Sequence, residues 1–208
     1  MLTVNEIFYS IQGESTRSGE PCIFIRLTAC NLRCTYCDTA YAFYDGKKMS
    51  IQEILKEIQK FNCKTVEVTG GEPLLQEEVY PLMDILVDNF YAVLLETSGS
   101  ILINKVNSKV IKIIDFKTPS SHMAHHNLWE NLNHLNTQDE IKFVVGDRSD
   151  YEWSKSVITQ YGLATRCHKV LLSAIHKELS PGILGEWIRK DSLPVKLQVQ
   201  LHKYLNMP

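Results

Sequence analysis

Several things are missing from this sequence, and each absence removes a class of function. There is no excess of basic residues: 22 Lys and Arg stand against 24 Asp and Glu, a formal net charge of −2. The chain therefore lacks the electrostatic footprint of a nucleic-acid binder. No apolar run approaches membrane-spanning length. The first ten residues, MLTVNEIFYS, hold no basic stretch followed by an apolar one, so no secretory leader is expected and the cytoplasm is the expected compartment. No repeat, low-complexity tract or linker interrupts the 208 residues, which are expected to form one domain. The most telling absence is local. Cys30, Cys34 and Cys37 fall within eight positions (CNLRCTYC), yet no fourth ligand stands nearby, and the nearest histidine is His122.

What is present reads as alternating strands and helices. Short β-branched runs at 22–28, 65–70, 92–97, 112–116, 141–145, 169–174 and 195–200 are expected as strands. Between them, Ser50 and Glu53 form a capping box ahead of Ile51, Ile54, Leu55 and Ile58 at helical spacing. Further helices are expected at 76–89 and 149–161 and around Ile183, Trp187 and Ile188. Strands separated by helices argue for a parallel sheet with helices outside. The strands are too few for a closed eightfold barrel, so an open, partial TIM-like barrel of about six parallel strands is expected, with a doubly wound sheet as the alternative. Both place ligands at the C-terminal ends of the strands.

In a reducing compartment a tight cysteine cluster reads as metal-binding or catalytic rather than as disulfides. Four thiolates close a structural zinc site; three leave a position open. A four-iron cluster held by three thiolates has one iron free for a small molecule. A zinc knuckle with a distant fourth ligand stays open as a reading, and Cys63 and Cys167 are far away in sequence. Cys22, Cys63 and Cys167 are expected as small core residues.

The spacing C-x-x-x-C-x-x-C, with Tyr36 before the last cysteine, resembles the radical S-adenosylmethionine (SAM) superfamily. So does TGGEP at 69–73, which alone would be an ordinary strand-to-helix turn. Taken together, QGES (12–15), Arg26 ahead of the cysteines, CDT (37–39), TGGEP, ETSG (96–99) and the terminal LQVQLHKYLNMP resemble the 7-carboxy-7-deazaguanine synthase family over nearly the whole length. That resemblance implies a radical ring contraction of 6-carboxy-5,6,7,8-tetrahydropterin to 7-carboxy-7-deazaguanine with loss of ammonia. It implies a [4Fe-4S] cluster, SAM used catalytically, Mg2+, a flavodoxin- or ferredoxin-like electron donor and a homodimer. It also implies an N-terminal substrate loop and a C-terminal strand and tail that close the site.

Carried over by position, the resemblance assigns Cys30, Cys34 and Cys37 to the cluster and the Thr39 hydroxyl to Mg2+. Tyr36, Cys37, Asp38, Gly71, Asp115, Phe116 and Lys117 fall to SAM. Ile11, Gln12, Gly13, Arg26, Thr69 and the terminal Pro208 fall to the pterin. Glu14 and Glu96 are added on chemical grounds: each follows a strand, and a carboxylate suits the N–H donors of a pterin edge, with Glu96 also moving protons. Arg26, inside an apolar strand, is read equally as a clamp on a substrate carboxylate or as half of an internal salt bridge. Departures are visible: Ser15 replaces an expected glycine, DFK (115–117) stands for an SPK-like motif, and LLSA (171–174) for a later SAM motif. HMAHH (122–126) reads as a solvated loop. Two alternatives remain: an activase that makes glycyl radicals on a partner protein, and a non-catalytic zinc-binding module.

Overall fold

The computed structural model describes residues 1–207. One nine-stranded sheet runs through it. Its strands are β1 (Leu2–Ile11), β2 (Pro21–Leu27), β3 (Lys47–Met49), β4 (Thr65–Gly70), β5 (Ala92–Thr97), β6 (Ile111–Asp115), β7 (Glu140–Val145), β8 (Lys169–Ala174) and β9 (Lys196–Gln198). They lie in the order β3-β1-β2-β4-β5-β6-β7-β8-β9. From β2 to β9 every neighbouring pair is parallel, while β1 pairs antiparallel with both β2 and β3. The two ends of this order do not pair, so the sheet is an open partial barrel. It has seven parallel strands rather than about six, and an antiparallel N-terminal extension.

The crossovers carry α1 (Ile51–Ile58), α2 (Val79–Asp88), α3 (Arg148–Gln160) and α4 (Pro181–Lys190). Helix α1 begins where Ser50 accepts from Glu53 N and the Glu53 carboxylate accepts from Ser50 N at 2.7 Å, which closes the capping box. Ile54 and Ile58 of that helix, and Leu82, Met83 and Leu86 of α2, pack onto Ile23, Ile25, Val66, Val68 and Val93 of the strands. Val66, Val68, Val93 and Leu95 thus face the helices, and the residues between them face the barrel interior.

β3 pairs with β1 only at Leu2–Val4, and residues 7–11 pair with β2 on one side. One expectation changes. The expected strand 195–200 ends at Gln198 and gives way to a short helix, α5 (Leu201–Leu205), which turns the chain back over the barrel mouth. There Leu201 N donates to Gly13 O at 2.9 Å. Cys22 is fully buried, and Cys63 and Cys167 are half-buried against the core. No described helix is long and apolar enough to cross a membrane.

Candidate active site

The parallel register decides which side chains meet. Arg26 lies opposite Thr69, and Asp115 opposite Lys142. These residues, with Glu67 and Glu96, point inward and line one wall of a cavity of about 430 Å³ at the C-terminal ends of the strands. The loop after β2 supplies Cys30, Cys34, Tyr36, Cys37, Asp38 and Thr39 to the same cavity. Ile11, Gln12, Gly13 and Glu14 form the third wall, and Gln200, His202, Lys203 and Met207 of the tail close the fourth.

The cysteine loop is held against the TGGEP turn. Gly71 N donates to Leu27 O at 3.2 Å and Glu72 N to Ala29 O at 2.8 Å. Gly70 has φ +156, and a Cβ there would lie 2.3 Å from Leu27 O. A Cβ on Gly71 would lie 2.3 Å from Ala29 O and 2.7 Å from Cys30 Cβ. Only glycine permits that approach. Glu72 is fully buried and ties this turn to ETSG: it accepts from Leu74 N (3.0 Å), Thr97 Oγ1 (2.9 Å), Ser98 N (2.8 Å) and Ser98 Oγ (2.6 Å).

The three thiols are half-buried and free of disulfides. Burial raises the Cys30 and Cys34 pKa values, with the Lys117 ammonium acting in the opposite direction on both. Among the described residues no group of three or more His, Cys, Asp and Glu is gathered as a site for one metal ion would be. Three thiolates of an iron–sulfur cluster bind three different irons and need not converge on a point. Three thiols on one wall, beside a turn with no room for a Cβ and open to a cavity, fit that group. The Tyr36 hydroxyl is buried beside them with no hydrogen-bond partner among the described residues, and burial holds its pKa above the usual range.

Charge is concentrated on the inner wall. The Lys142 ammonium is ion-paired with Glu14 at 2.7 Å, Asp115 at 3.3 Å and Glu96. Asp115 also pairs with Lys117 at 2.9 Å. Burial opposes ionisation of Glu14, but the Lys142 charge and hydrogen bonds from Gln200 and Lys142 prevail and bring its pKa down to about 2. Burial and the repulsion of Glu14 and Asp115 raise Glu96 despite Lys142. Burial would lower the pKa of Lys142, yet its three carboxylates hold it well above the ordinary value.

The N-terminal loop and the tail are joined at this wall. Glu14 accepts from Gln198 Nε2 at 2.9 Å and Gln200 Nε2 at 2.8 Å. Gly13 leaves no room for a side chain, since its Cβ would meet His202 Nδ1 at 2.0 Å. Lys203 reaches Asp38 at 2.6 Å. Burial raises the Asp38 pKa, but that lysine outweighs it and holds the carboxyl below the usual range. Ser15, where a glycine is expected, has φ 61 in the left-handed region. Its N–H donates to Gln198 Oε1 at 2.7 Å and its hydroxyl accepts from Arg17 N at 3.0 Å. These bonds hold a serine in glycine's conformation.

The sequence-predicted residues thus meet in one cavity, with two exceptions. Phe116 is fully buried in the core, 4.8 Å centroid to centroid from Trp129, and does not line the cavity. Pro208 lies outside the described residues. Arg26 does have an internal partner: its Nε donates to Glu6 at 2.7 Å, and Tyr41 donates to the same oxygen at 2.8 Å. Its other N–H groups have no hydrogen-bond partner among the described residues. Thr39 donates to Asp38 Oδ1 at 3.0 Å. The sequence reading has Glu72 only as part of the TGGEP motif, and it missed Glu67 and Lys142. The available signal was a charged residue inside an apolar strand run, TVEVTG and IKFVV.

Comparison with known proteins agrees with this arrangement. The sequence model of the Radical SAM superfamily matches residues 24–114. The chain is 44% identical to the 7-carboxy-7-deazaguanine synthase of Chlorobaculum tepidum over 210 residues, covering all of this chain and 95% of that protein. It is 37% identical over 213 residues to the enzyme of the same name from Clostridium acetobutylicum, covering 99% and 96%. Among solved structures, QueE from Escherichia coli superposes with a TM-score of 0.79 at 26% identity, over 97% of this chain and 94% of that one.

Proposed function

The chain belongs to the 7-carboxy-7-deazaguanine synthases, a radical SAM family, and we propose that it converts 6-carboxy-5,6,7,8-tetrahydropterin to 7-carboxy-7-deazaguanine in queuosine precursor biosynthesis. One observation carries the reading for this site. A single cavity at the strand ends gathers the three cysteines, the TGGEP turn and the Gln12–Arg26–Glu96 wall. Cys30, Cys34 and Cys37 would hold the [4Fe-4S] cluster. When bound, the cluster and SAM supply one-electron reduction and a radical able to abstract hydrogen.

The chain's own residues then bind and orient. The backbone at Gly71 offers SAM a surface without a side chain, flanked by Tyr36, Asp38 and Lys117. Thr39 presents a hydroxyl, the hard oxygen ligand that Mg2+ prefers. Arg26 is fixed through Nε by Glu6 and turns its remaining N–H groups to the substrate carboxylate, with Thr69, Gln12 and the Gly13 backbone alongside. Glu96, whose pKa burial raises despite Lys142, holds a proton more readily than an ordinary carboxylate does and is placed to pass it on. The tail shields the cavity from water through Gln200 and His202. We also read the chain as one catalytic unit, cytoplasmic and homodimeric, with an external flavodoxin- or ferredoxin-like donor.

A binding titration tests the substrate class without turnover. The fluorescent analogue 6-carboxypterin is expected to bind more tightly than pterin itself. Arg26→Ala is expected to weaken 6-carboxypterin by roughly 10- to 150-fold, the loss of a charge-assisted contact of about 1.5–3 kcal/mol, and to leave pterin nearly unchanged. Equal binding of both ligands to the native protein would argue against a carboxylate clamp, and no pterin binding would favour a partner-protein activase.

A further inference from the structure

Glu67 takes no part in the motifs that define the site, yet it stands in the middle of it. It lies two residues before Thr69 in β4, on the same inner face, and is 4% exposed. Its Oε2 accepts from Gln12 Nε2 at 2.5 Å. The orientation of that amide is settled from its other end, because Gln12 Oε1 accepts from Glu14 N at 3.0 Å. Glu67 Oε1 has no hydrogen-bond partner among the described residues, and the residue lines the cavity.

The charge balance around it is uneven. Glu14, Glu67, Glu96 and Asp115 share two ammonium groups. Lys142 pairs with Glu14, Glu96 and Asp115, and Lys117 pairs with Asp115. Glu67 alone among the four has no cation. Cys22 lies below it on β2 and offers no positive charge. A buried carboxyl in that position keeps its proton. Burial, then repulsion from Glu96 and Glu14, raise Glu67 well above 4.5, and the Gln12 hydrogen bond and Lys142 do not offset them. Since Oε2 accepts from Gln12, the proton belongs on Oε1, facing the cavity.

An ionised carboxylate only accepts hydrogen bonds, whereas a protonated one also donates. A pterin ring alternates N–H donors with carbonyl and ring-nitrogen acceptors. Glu14 and Glu96 suit its donors, but its acceptors need a donor. We propose that Glu67 is a further substrate-contacting residue, a neutral acid whose Oε1–H donates to an acceptor atom of the heterocycle beside Gln12 and Thr69. This rests on the pterin reading above. A neutral acid here also spares a carboxylate-bearing substrate one more negative neighbour.

The test is the 6-carboxypterin titration, from pH 6 to 9, on cluster-loaded protein carrying Glu67→Gln or Glu67→Leu, with iron content and SAM binding measured alongside. Glu67→Leu is expected to lose about tenfold in affinity. Glu67→Gln keeps a donor and an acceptor and is expected to stay within about threefold of native. Native affinity is expected to fall towards alkaline pH more steeply than that of Glu67→Gln; titration of the ligand itself is common to both. Native-like binding by Glu67→Leu, or identical pH dependence of native protein and Glu67→Gln, would overturn the proposal. The second comparison holds even where Glu67→Leu fails to fold. Native protein that retains iron and binds SAM but takes up no pterin would overturn the substrate reading, and the role of Glu67 with it.

Discussion

The Cys34→Ser variant is expected to keep its fold and lose its iron. Cys34 sits in a loop at the cavity wall, half-buried, and no sheet pairing depends on its thiol. Serine removes one thiolate from a set that has no spare: the other cysteines, Cys22, Cys63 and Cys167, belong to the core or its margin. Iron content and the visible absorption of the reconstituted protein are expected to fall to background, and turnover below detection, while the thermal midpoint of the metal-free protein stays unchanged. Cys63→Ser is the control and is expected to keep both iron and activity. A Cys34→Ser protein with full iron and native turnover would contradict the assignment of the three thiols.

The Lys142→Met variant is expected to be the most destabilising single change within the site. It removes the ammonium shared by Glu14, Glu96 and Asp115 and leaves Asp115 with Lys117 alone. Breaking a buried ion pair by deleting one partner costs about 3–5 kcal/mol. The pH dependence distinguishes this cause from simple loss of packing. A carboxyl whose folded pKa lies below its unfolded value contributes stability above the unfolded value and loses it as pH falls towards the folded one. For Glu14 that window runs from 4.5 down to about 2. Without Lys142 that contribution disappears, and Glu14 and Glu96 take up protons on mild acidification, which relieves their repulsion. The deficit against native protein in urea unfolding is therefore expected to be large at pH 7 and clearly smaller at pH 4. An equal deficit at both values would point to packing instead.

Much of this architecture was legible from alternating runs and caps. The strands at 65–70, 92–97 and 169–174 have the bounds the sequence suggests, because both faces of a parallel strand are covered and its apolar run is continuous. Helix α1 was legible from Ser50 and Glu53. What was hidden depends on partners distant in sequence. Three-residue β3 has no apolar pattern, since Lys47 and Lys48 are exposed, and it exists because Leu2–Val4 pair with it. The tail reads as a strand through Gln200, but its register ends at Gln198, and Leu201 bonds to Gly13 instead.

The site divides in the same way. Residues in motifs were legible because glycine and cysteine carry strong local constraints. Lys142 and Glu67 were not, since a charge inside IKFVV or TVEVTG declares its partners only when Glu14, Gln12 and Glu96 arrive from elsewhere. The side chain of Phe116 lies on the core side of its strand end. Its neighbours Asp115 and Lys117 face the cavity, and alternation turns Phe116 to Trp129 and Phe143 in the core.

The most direct test is one anaerobic incubation of reconstituted protein with a reductant, SAM, Mg2+ and 6-carboxytetrahydropterin, read by mass spectrometry. The expected result is 7-carboxy-7-deazaguanine in excess over the SAM consumed. Accumulation of 5′-deoxyadenosine with no deazapurine would leave the radical chemistry standing and contradict the substrate assigned to this cavity.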